Sequence, residues 1–201
     1  MYNLEMYSAF ITDTLRTAEL DKYYCFRAGF TRDEINLLEK QLFDINMQIK
    51  DATTFSGSKE ELRKSRVGWI PMDQNFLWLH AKLGEMVNIA NKELWGFDIL
   101  GMAEQIQYAE YPQNGGHYDW HMDTGPDKFS RRKISITVQL SDPSEYEGGD
   151  LQIKINAGQS DTPKGLGNVV IFPSYLLHRV TPVTKGLRRS LVLWITGPAF
   201  K

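Results

Sequence analysis

Lys133-Ile134-Ser135-Ile136-Thr137-Val138-Gln139-Leu140 is the stretch from which the fold is read. Ile134, Ile136, Val138 and Leu140 take every second position, while Ser135, Thr137 and Gln139 fill the positions between. Side chains of a pleated strand alternate between two faces, so this is a strand with one apolar and one polar side. Downstream, further short strands are expected at Leu151–Ile155, Asn168–Phe172, Leu177–Val183 and Arg188–Thr196. Turn residues separate them: Asp142-Pro143, Gly148-Gly149, Pro163-Lys164-Gly165, and a turn from Pro182 to Gly186. Upstream, Gln105 to Tyr111 reads as extended. Many short strands punctuated in this way indicate a sandwich or jelly roll.

Farther upstream the period changes. Thr31 and Glu34 have capping-box spacing, and Ile35, Leu38, Leu42 and Ile45 follow at helical intervals. Asp51 to Lys64 is polar and reads as a loop, and Arg66 to Ile70 as a short strand stopped by Pro71. Asp73 is placed to cap a second helix with Phe76, Leu79, Leu83, Met86, Val87 and Ala90 along its stripe, ended by Gly96. The expected class is therefore α+β in one domain over 1–201. Residues 1–100 form a mainly helical support, and 101–197 form a β core with the helices packed on one of its sheets.

Bulk composition excludes several alternatives. Hydrophobic residues make up 42% and charged residues 24% of 201, as in an ordinary globular protein. A net charge of -2 gives no global basic field, so no nucleic-acid partner is expected. Cys25 is the only cysteine, so neither an internal disulfide nor a thiolate metal cluster can form. Met1 to Phe10 includes Glu5 and lacks a basic start and an apolar run, so no signal peptide is read there. No uncharged apolar run approaches the roughly 18–20 residues of a bilayer span, so no membrane association is expected. A reducing, cytoplasmic location is the default. Oligomeric state is not legible.

Chemistry concentrates in the β half, which holds three of the four histidines, His117, His121 and His178, but not His80. His117-Tyr118-Asp119-Trp120-His121-Met122-Asp123 contains two overlapping His-x-Asp pairs. Residues two apart share a strand face, so such a pair can grip one ion from one side. A lone pair of this kind is commonplace. The remote His178, in another expected strand, supplies the second imidazole of a 2-His-1-carboxylate set, which leaves three open positions and suits Fe(II). Strand parity alone cannot choose between His117/Asp119 and His121/Asp123. Past the Pro182–Gly186 turn, Arg188 and Ser190 share a face. A guanidinium offers two parallel donors and a hydroxyl a third, a pocket suited to the far carboxylate of a dicarboxylic acid.

These segments together resemble the Fe(II)/2-oxoglutarate-dependent oxygenases, in their prolyl 4-hydroxylase-like branch. The resemblance rests on Tyr111…Gly115…Tyr118-x-x-His121-x-Asp123, on Leu140-Ser-Asp-Pro…Tyr146-Glu-Gly-Gly149-Asp-Leu151, and on Phe172-Pro-Ser174…His178-x-Val180…Gly186-x-Arg188. It covers roughly Gly101 to Gly197 and implies a double-stranded β-helix, the cupin-like jelly roll. It selects His121, Asp123 and His178 as ligands and leaves His117 and Asp119 at the rim. It implies that Arg188, with Ser190, binds 2-oxoglutarate, and that Tyr111 faces the same pocket. Several relatives use a tyrosine on the following strand where Gln139 stands here, so that contact is left open.

The implied activity is a dioxygenase using Fe(II), 2-oxoglutarate and O2, with ascorbate compatible as an accessory. It hydroxylates an unactivated C–H bond of a peptidyl proline or related protein side chain and releases succinate and CO2. Relatives that lack the carboxylate halogenate, so Asp123 points to hydroxylation. The alternatives are a free amino acid or other small molecule as substrate, or a cupin-like metal-binding or sensing module without turnover. Trp120, Trp194 and Phe172 are candidate pocket walls, Thr124 to Lys133 a candidate lid, and Glu60 to Arg66 a candidate substrate contact.

Overall fold

A computed structural model describes residues 18–53, 61–155 and 158–200. Strand β1 (Tyr24–Phe26) precedes helix α1 (Arg32–Asp44), whose Thr31 cap carries the full reciprocal capping box with Glu34. Strands β2 (Lys50–Asp51), β3 (Arg63–Lys64) and β4 (Arg66–Ile70) follow. Asp73 caps a single 3-10 turn, Gln74–Phe76, from which α2 (Leu77–Ala90) continues. A π-helical turn, Asn91–Trp95, ends at left-handed Gly96. Then come β5 (Gly101–Met102), β6 (Ile106–Pro112), β7 (Gly116–His121), β8 (Arg132–Gln139), β9 (Tyr146–Gly148), β10 (Leu151–Ile155), β11 (Gly158–Asp161), β12 (Val169–Pro173) and β13 (His178–Thr196).

The major sheet runs β1-β12-β8-β13-β6-β4-β2, with β5 also on β13. The minor sheet sets β10 and β7 against the first part of β13, with β11 beyond β10, β3 beyond β7, and β9 farther along β13. The first hundred residues therefore supply four strands, three of them (β1, β2 and β3) at sheet edges, as well as the two helices. Asp51, Arg63 and Lys64, expected in a loop, are strand residues, while 54–60 and Glu60 with them lie outside the described residues.

The expected turn from Pro182 to Gly186 does not break the chain into two strands. β13 is continuous through it and moves from the minor to the major sheet, with register shifts between His178 and Val180, Val180 and Val183, and Val183 and Lys185. A proline and a positive-φ glycine (Gly186, φ 74°) are tolerated because the ladder is bulged there. The Pro182 carbonyl still accepts from Gly149 N–H at 3.3 Å.

Strand parity sorts the core into two layers. Ile134, Ile136 and Val138 of β8, Val169 and Ile171 of β12, and Leu191, Leu193 and Ile195 of β13 pack with Leu38, Leu79, Leu83 and Val87 of the helices. The helices thus cover one face of the major sheet. Between the sheets lies a smaller cluster, including Ala109, Tyr111, Leu151, Val170, Phe172 and Val180. β8 is buried on both faces, so Ser135, Thr137 and Gln139 are as enclosed as the isoleucines. Full burial of each aliphatic side chain contributes roughly 1.5–3 kcal/mol, whereas a buried polar group stabilises only if it is partnered.

Candidate metal centre and anion pocket

The two histidines of the candidate metal centre are delivered by one cross-strand pair. β7 ends at His121, β13 begins at His178, and the two residues sit opposite each other in the antiparallel register. Their rings lie 4.1 Å apart, centroid to centroid. Asp123 follows, its backbone N–H donating to the Ser174 carbonyl at 2.9 Å. Its carboxylate reaches both imidazoles: Oδ1 is 3.7 Å from His121 Nε2, and Oδ2 is 3.4 Å from His178 Nε2. One ligand atom from each of the three residues lies within 4.8 Å of the others.

Hydrogen bonds fix which nitrogen faces the centre. His121 Nδ1–H donates to the Asp119 carbonyl at 2.7 Å, and His178 Nδ1–H to that of Leu176 at 2.9 Å. Each Nε2 is then a bare lone pair aimed at Asp123, the tautomer a metal ligand needs. Tyr118 stacks on His121 at 3.4 Å and Phe172 meets His178 edge-on at 4.7 Å, so both rings are clamped. Asp123 Oδ2 accepts from the Ser135 hydroxyl at 2.7 Å, which in turn lies 2.9 Å from Ser174 Oγ.

Burial, then the neighbouring His178, pushes His121 down to about 3, so it is neutral at pH 7. Burial alone would raise Asp123, but the imidazoles, the Ser135 hydroxyl and Arg132 together hold it below the usual carboxylate range. Two imidazoles and an ionised carboxylate on one face form a donor set that fits a divalent iron with open positions.

The same cavity, about 290 Å³, contains Arg188. This arginine is 1% exposed yet pairs with no carboxylate among the described residues. Its Nη1 donates to Ser190 Oγ at 3.3 Å, while Nε and Nη2 have no partner. Tyr111, opposite Arg188 across the β13–β6 ladder, presents its ring 5.1 Å away. Room for the guanidinium stem exists because residue 149 is glycine at φ 64°: a Cβ there would come within 2.9 Å of Arg188 Cδ. A buried cation with two open donors calls for an anion, and a carboxylate matches its fork. Gln139 pairs with Ser190 across β8 and β13 and is buried with both amide atoms unpartnered, but it does not line the cavity.

The remaining expected residues divide. His117 bonds the carbonyls of Gly115 and Glu61, and exposed Asp119 caps the Trp120 N–H; neither joins the metal set. Trp194 lines the cavity. Trp120 lies outside it, under the cations of Lys154 and Arg179. Phe172 acts behind His178. Of Thr124 to Lys133, only part is loop: a 3-10 turn spans Asp127–Arg131, and Arg132 and Lys133 are buried strand residues. Arg63 lines the cavity from within the expected substrate contact Glu60 to Arg66, whereas sequence reasoning missed Trp69, Glu104, Gln107 and Thr137, which line it as well. Gln107 and Thr137 were within reach, because strand parity places them on the faces of Tyr111 and Ser135. Trp69 and Glu104 had no local signal.

The family profile of the 2OG-Fe(II) oxygenase superfamily matches residues 106–196. A PKHD-type hydroxylase of Teredinibacter turnerae is 44% identical over 88 residues, covering 41% of this chain and 39% of that protein. The chain thus spans well under two thirds of the length of that curated relative. By fold, a Trichoplax adhaerens prolyl hydroxylase solved with a hypoxia inducible factor peptide superposes with a TM-score of 0.74 at 16% identity, over 88% of this chain and 84% of that one. A Pseudomonas putida prolyl-4-hydroxylase gives 0.70 at 20% identity, over 88% and 93%.

Proposed function

We propose that the chain, whose residues 106–196 match the 2OG-Fe(II) oxygenase superfamily, is an Fe(II)- and 2-oxoglutarate-dependent dioxygenase of that family, hydroxylating a peptidyl proline or related protein side chain. The observation that carries this reading is a buried arginine with two open donors in the same cavity as a 2-His-1-carboxylate set. A metal sensor without turnover has no use for that arginine.

His121, Asp123 and His178 would hold the iron, and Arg188 with Ser190 would pair with the far carboxylate of 2-oxoglutarate, beside Tyr111. Bound there, iron, 2-oxoglutarate and O2 supply oxidation of a C–H bond to C–OH coupled to release of succinate and CO2. The chain's own part is binding, orientation and exclusion of water. Ser135 holds the Asp123 carboxylate in place, Tyr118 and Phe172 fix the imidazoles, and Trp194 and Trp69, with rings 6.5 Å apart, wall the substrate side.

A polypeptide is favoured over a free amino acid because the cavity does not end at the metal. A second depression of about 570 Å³ shares Thr53, Arg63, Trp69 and Gln107 with it. Ascorbate would serve as an accessory reductant for the iron. The lone Cys25 supports a reducing, cytoplasmic compartment, and no helix of the described residues is long and apolar enough to cross a membrane.

The test is incubation of the Fe(II)-loaded protein with 2-oxoglutarate and Pro-rich peptides or free amino acids. Succinate release and a mass gain of one oxygen on a peptide are expected. Failure to form succinate under any condition would remove the reading.

A further inference from the structure

We infer that the substrate is an acidic peptide, with a carboxylate side chain near the reacting residue received by Arg63 and Lys128; this deepens the dioxygenase reading and rests on it. The cavity holds six charged side chains besides the imidazoles: Arg63, Glu104, Asp123, Lys128, Arg132 and Arg188. Four of them are accounted for. Arg132 is neutralised by Glu104 through two parallel bonds, Nε to Oε1 at 2.7 Å and Nη2 to Oε2 at 2.6 Å. Asp123 and Arg188 serve the metal and the diacid, whose own charges, +2 and -2, cancel. Two cations remain, Arg63 and Lys128.

Neither has an acidic partner among the described residues. Arg63 is held by neutral groups: Nε donates to Ser65 Oγ at 2.7 Å and Nη2 to Gln107 Oε1 at 3.0 Å. β3–β7 pairing sets it opposite Tyr118, and its guanidinium stacks on that ring at 4.6 Å. Tyr118 in turn stacks on the ligand His121 at 3.4 Å. The unmatched charge thus lies two ring layers from the metal, within reach of a side chain adjacent to the one being oxidised. Lys128, in the 3-10 turn Asp127–Arg131, lines the same cavity with its ammonium over Phe129 at 5.1 Å. Two unpaired cations in a half-enclosed cleft concentrate anions, and an arginine already fixed by two bonds loses little freedom on binding a carboxylate. In the depression beyond Arg63, Lys50 is offset by Asp51, so the unmatched charge is that of Arg63 and Lys128 beside the metal site.

The experiment separates this inference from the catalytic one. The full chain is loaded with Mn(II) and 2-oxoglutarate under argon, so that nothing turns over. It is then equilibrated with three pools of capped, Pro-containing hexapeptides that differ only in one residue, Glu, Gln or Lys, scanned through every position. Retained peptides are quantified by mass spectrometry. The Glu pool is expected to be retained about fivefold or more over the Gln pool, and the Lys pool below both. Arg63→Gln and Lys128→Gln should each cut the Glu preference at least by half, and raising salt from about 50 to about 500 mM should shrink it. Arg63→Lys should restore part of it.

Equal retention of Glu and Gln pools, an unaltered preference in both Gln variants, or no retention in any pool overturns the inference. Peptide-independent succinate formation with Fe(II) reads the catalytic proposal by itself. If it is present without a charge preference, only the acidic substrate is lost. If it is absent while the preference holds, the turnover claim fails instead.

Discussion

The two faces of β8 and β13 make opposite use of the same strands. Toward the helices, Ile134, Ile136, Leu191 and Leu193 form a dry apolar layer. Toward the minor sheet, Ser135, Thr137, Arg188 and Ser190 are equally buried but polar, and Arg188 and Gln139 keep unpartnered atoms. The first face stabilises by apolar burial. The second costs stability until ligands arrive, and its polar groups are intelligible only through what they would bind. Substitutions on the two faces should therefore separate stability from chemistry.

The largest separation is expected at the metal. His178→Ala should abolish iron retention and lower succinate formation by three orders of magnitude or more, about 4 kcal/mol in barrier, while the melting temperature of the iron-free protein moves little. Metal analysis and thermal melts check it, and wild-type turnover by this variant contradicts the assignment. On the opposite face, Leu193→Ala should cost about 3 kcal/mol of stability through lost burial and a residual cavity, with 2-oxoglutarate affinity of the folded protein unchanged. If urea titration and calorimetry showed both properties collapsing together, the faces would not be separable.

Arg188→Met should come next. Removing the fork should raise the 2-oxoglutarate concentration for half-saturation on the order of 100-fold, about 2.7 kcal/mol. The ligand-free protein should melt no lower, and even higher, because an uncompensated buried cation has been exchanged for an apolar side chain. A large fall in melting temperature would make Arg188 a structural residue.

Acid should unfold the ligand-free protein from the polar face. Unfolded His121 titrates near 6.5, while in the fold burial and His178 push it to about 3. Between those values the unfolded chain binds a proton that the folded one does not, so stability is complete above about 6.5 and declines toward 3. Asp123, whose folded value is lowered, adds loss in the same direction at more acidic pH. The urea midpoint should fall from pH 7 to pH 5, and His121→Asn should flatten that slope. An identical slope in the variant would assign the acid sensitivity elsewhere.

How much of this was legible follows from the range of each signal. Alternation at 133–140 named both faces of β8 because the strand period is local, and Asp123 and His178 were legible because ligand spacing is carried by short motifs. Arg63 was legible only as one residue of the candidate contact Glu60 to Arg66, since its place beside Tyr118 comes from β3–β7 pairing between distant segments. Pro182 and Gly186 misled for a different reason. Both residues mark turns, but here they mark the bulged crossing of one long strand between two sheets, which only the partner strands reveal.

The smallest expected effect tests the comparison most finely. Ser135 is a β8 neighbour of Ile134 and Ile136 but points the other way, and its hydroxyl donates to Asp123 Oδ2 at 2.7 Å and lies against Ser174 Oγ. Ser135→Ala removes one oxygen and creates no cavity of consequence, so the melting temperature should shift by about 1 kcal/mol equivalent or less. The Asp123 carboxylate would then lose its orienting donor, and iron affinity should weaken by roughly 10-fold, with the half-saturating 2-oxoglutarate concentration unchanged. Restoration by Ser135→Thr, which keeps the hydroxyl, would tie the loss to that one bond. An alanine variant with unaltered iron affinity would mean that the carboxylate is set by its backbone bond to Ser174 alone, and that the polar face of β8 does less for the metal than its placement implies.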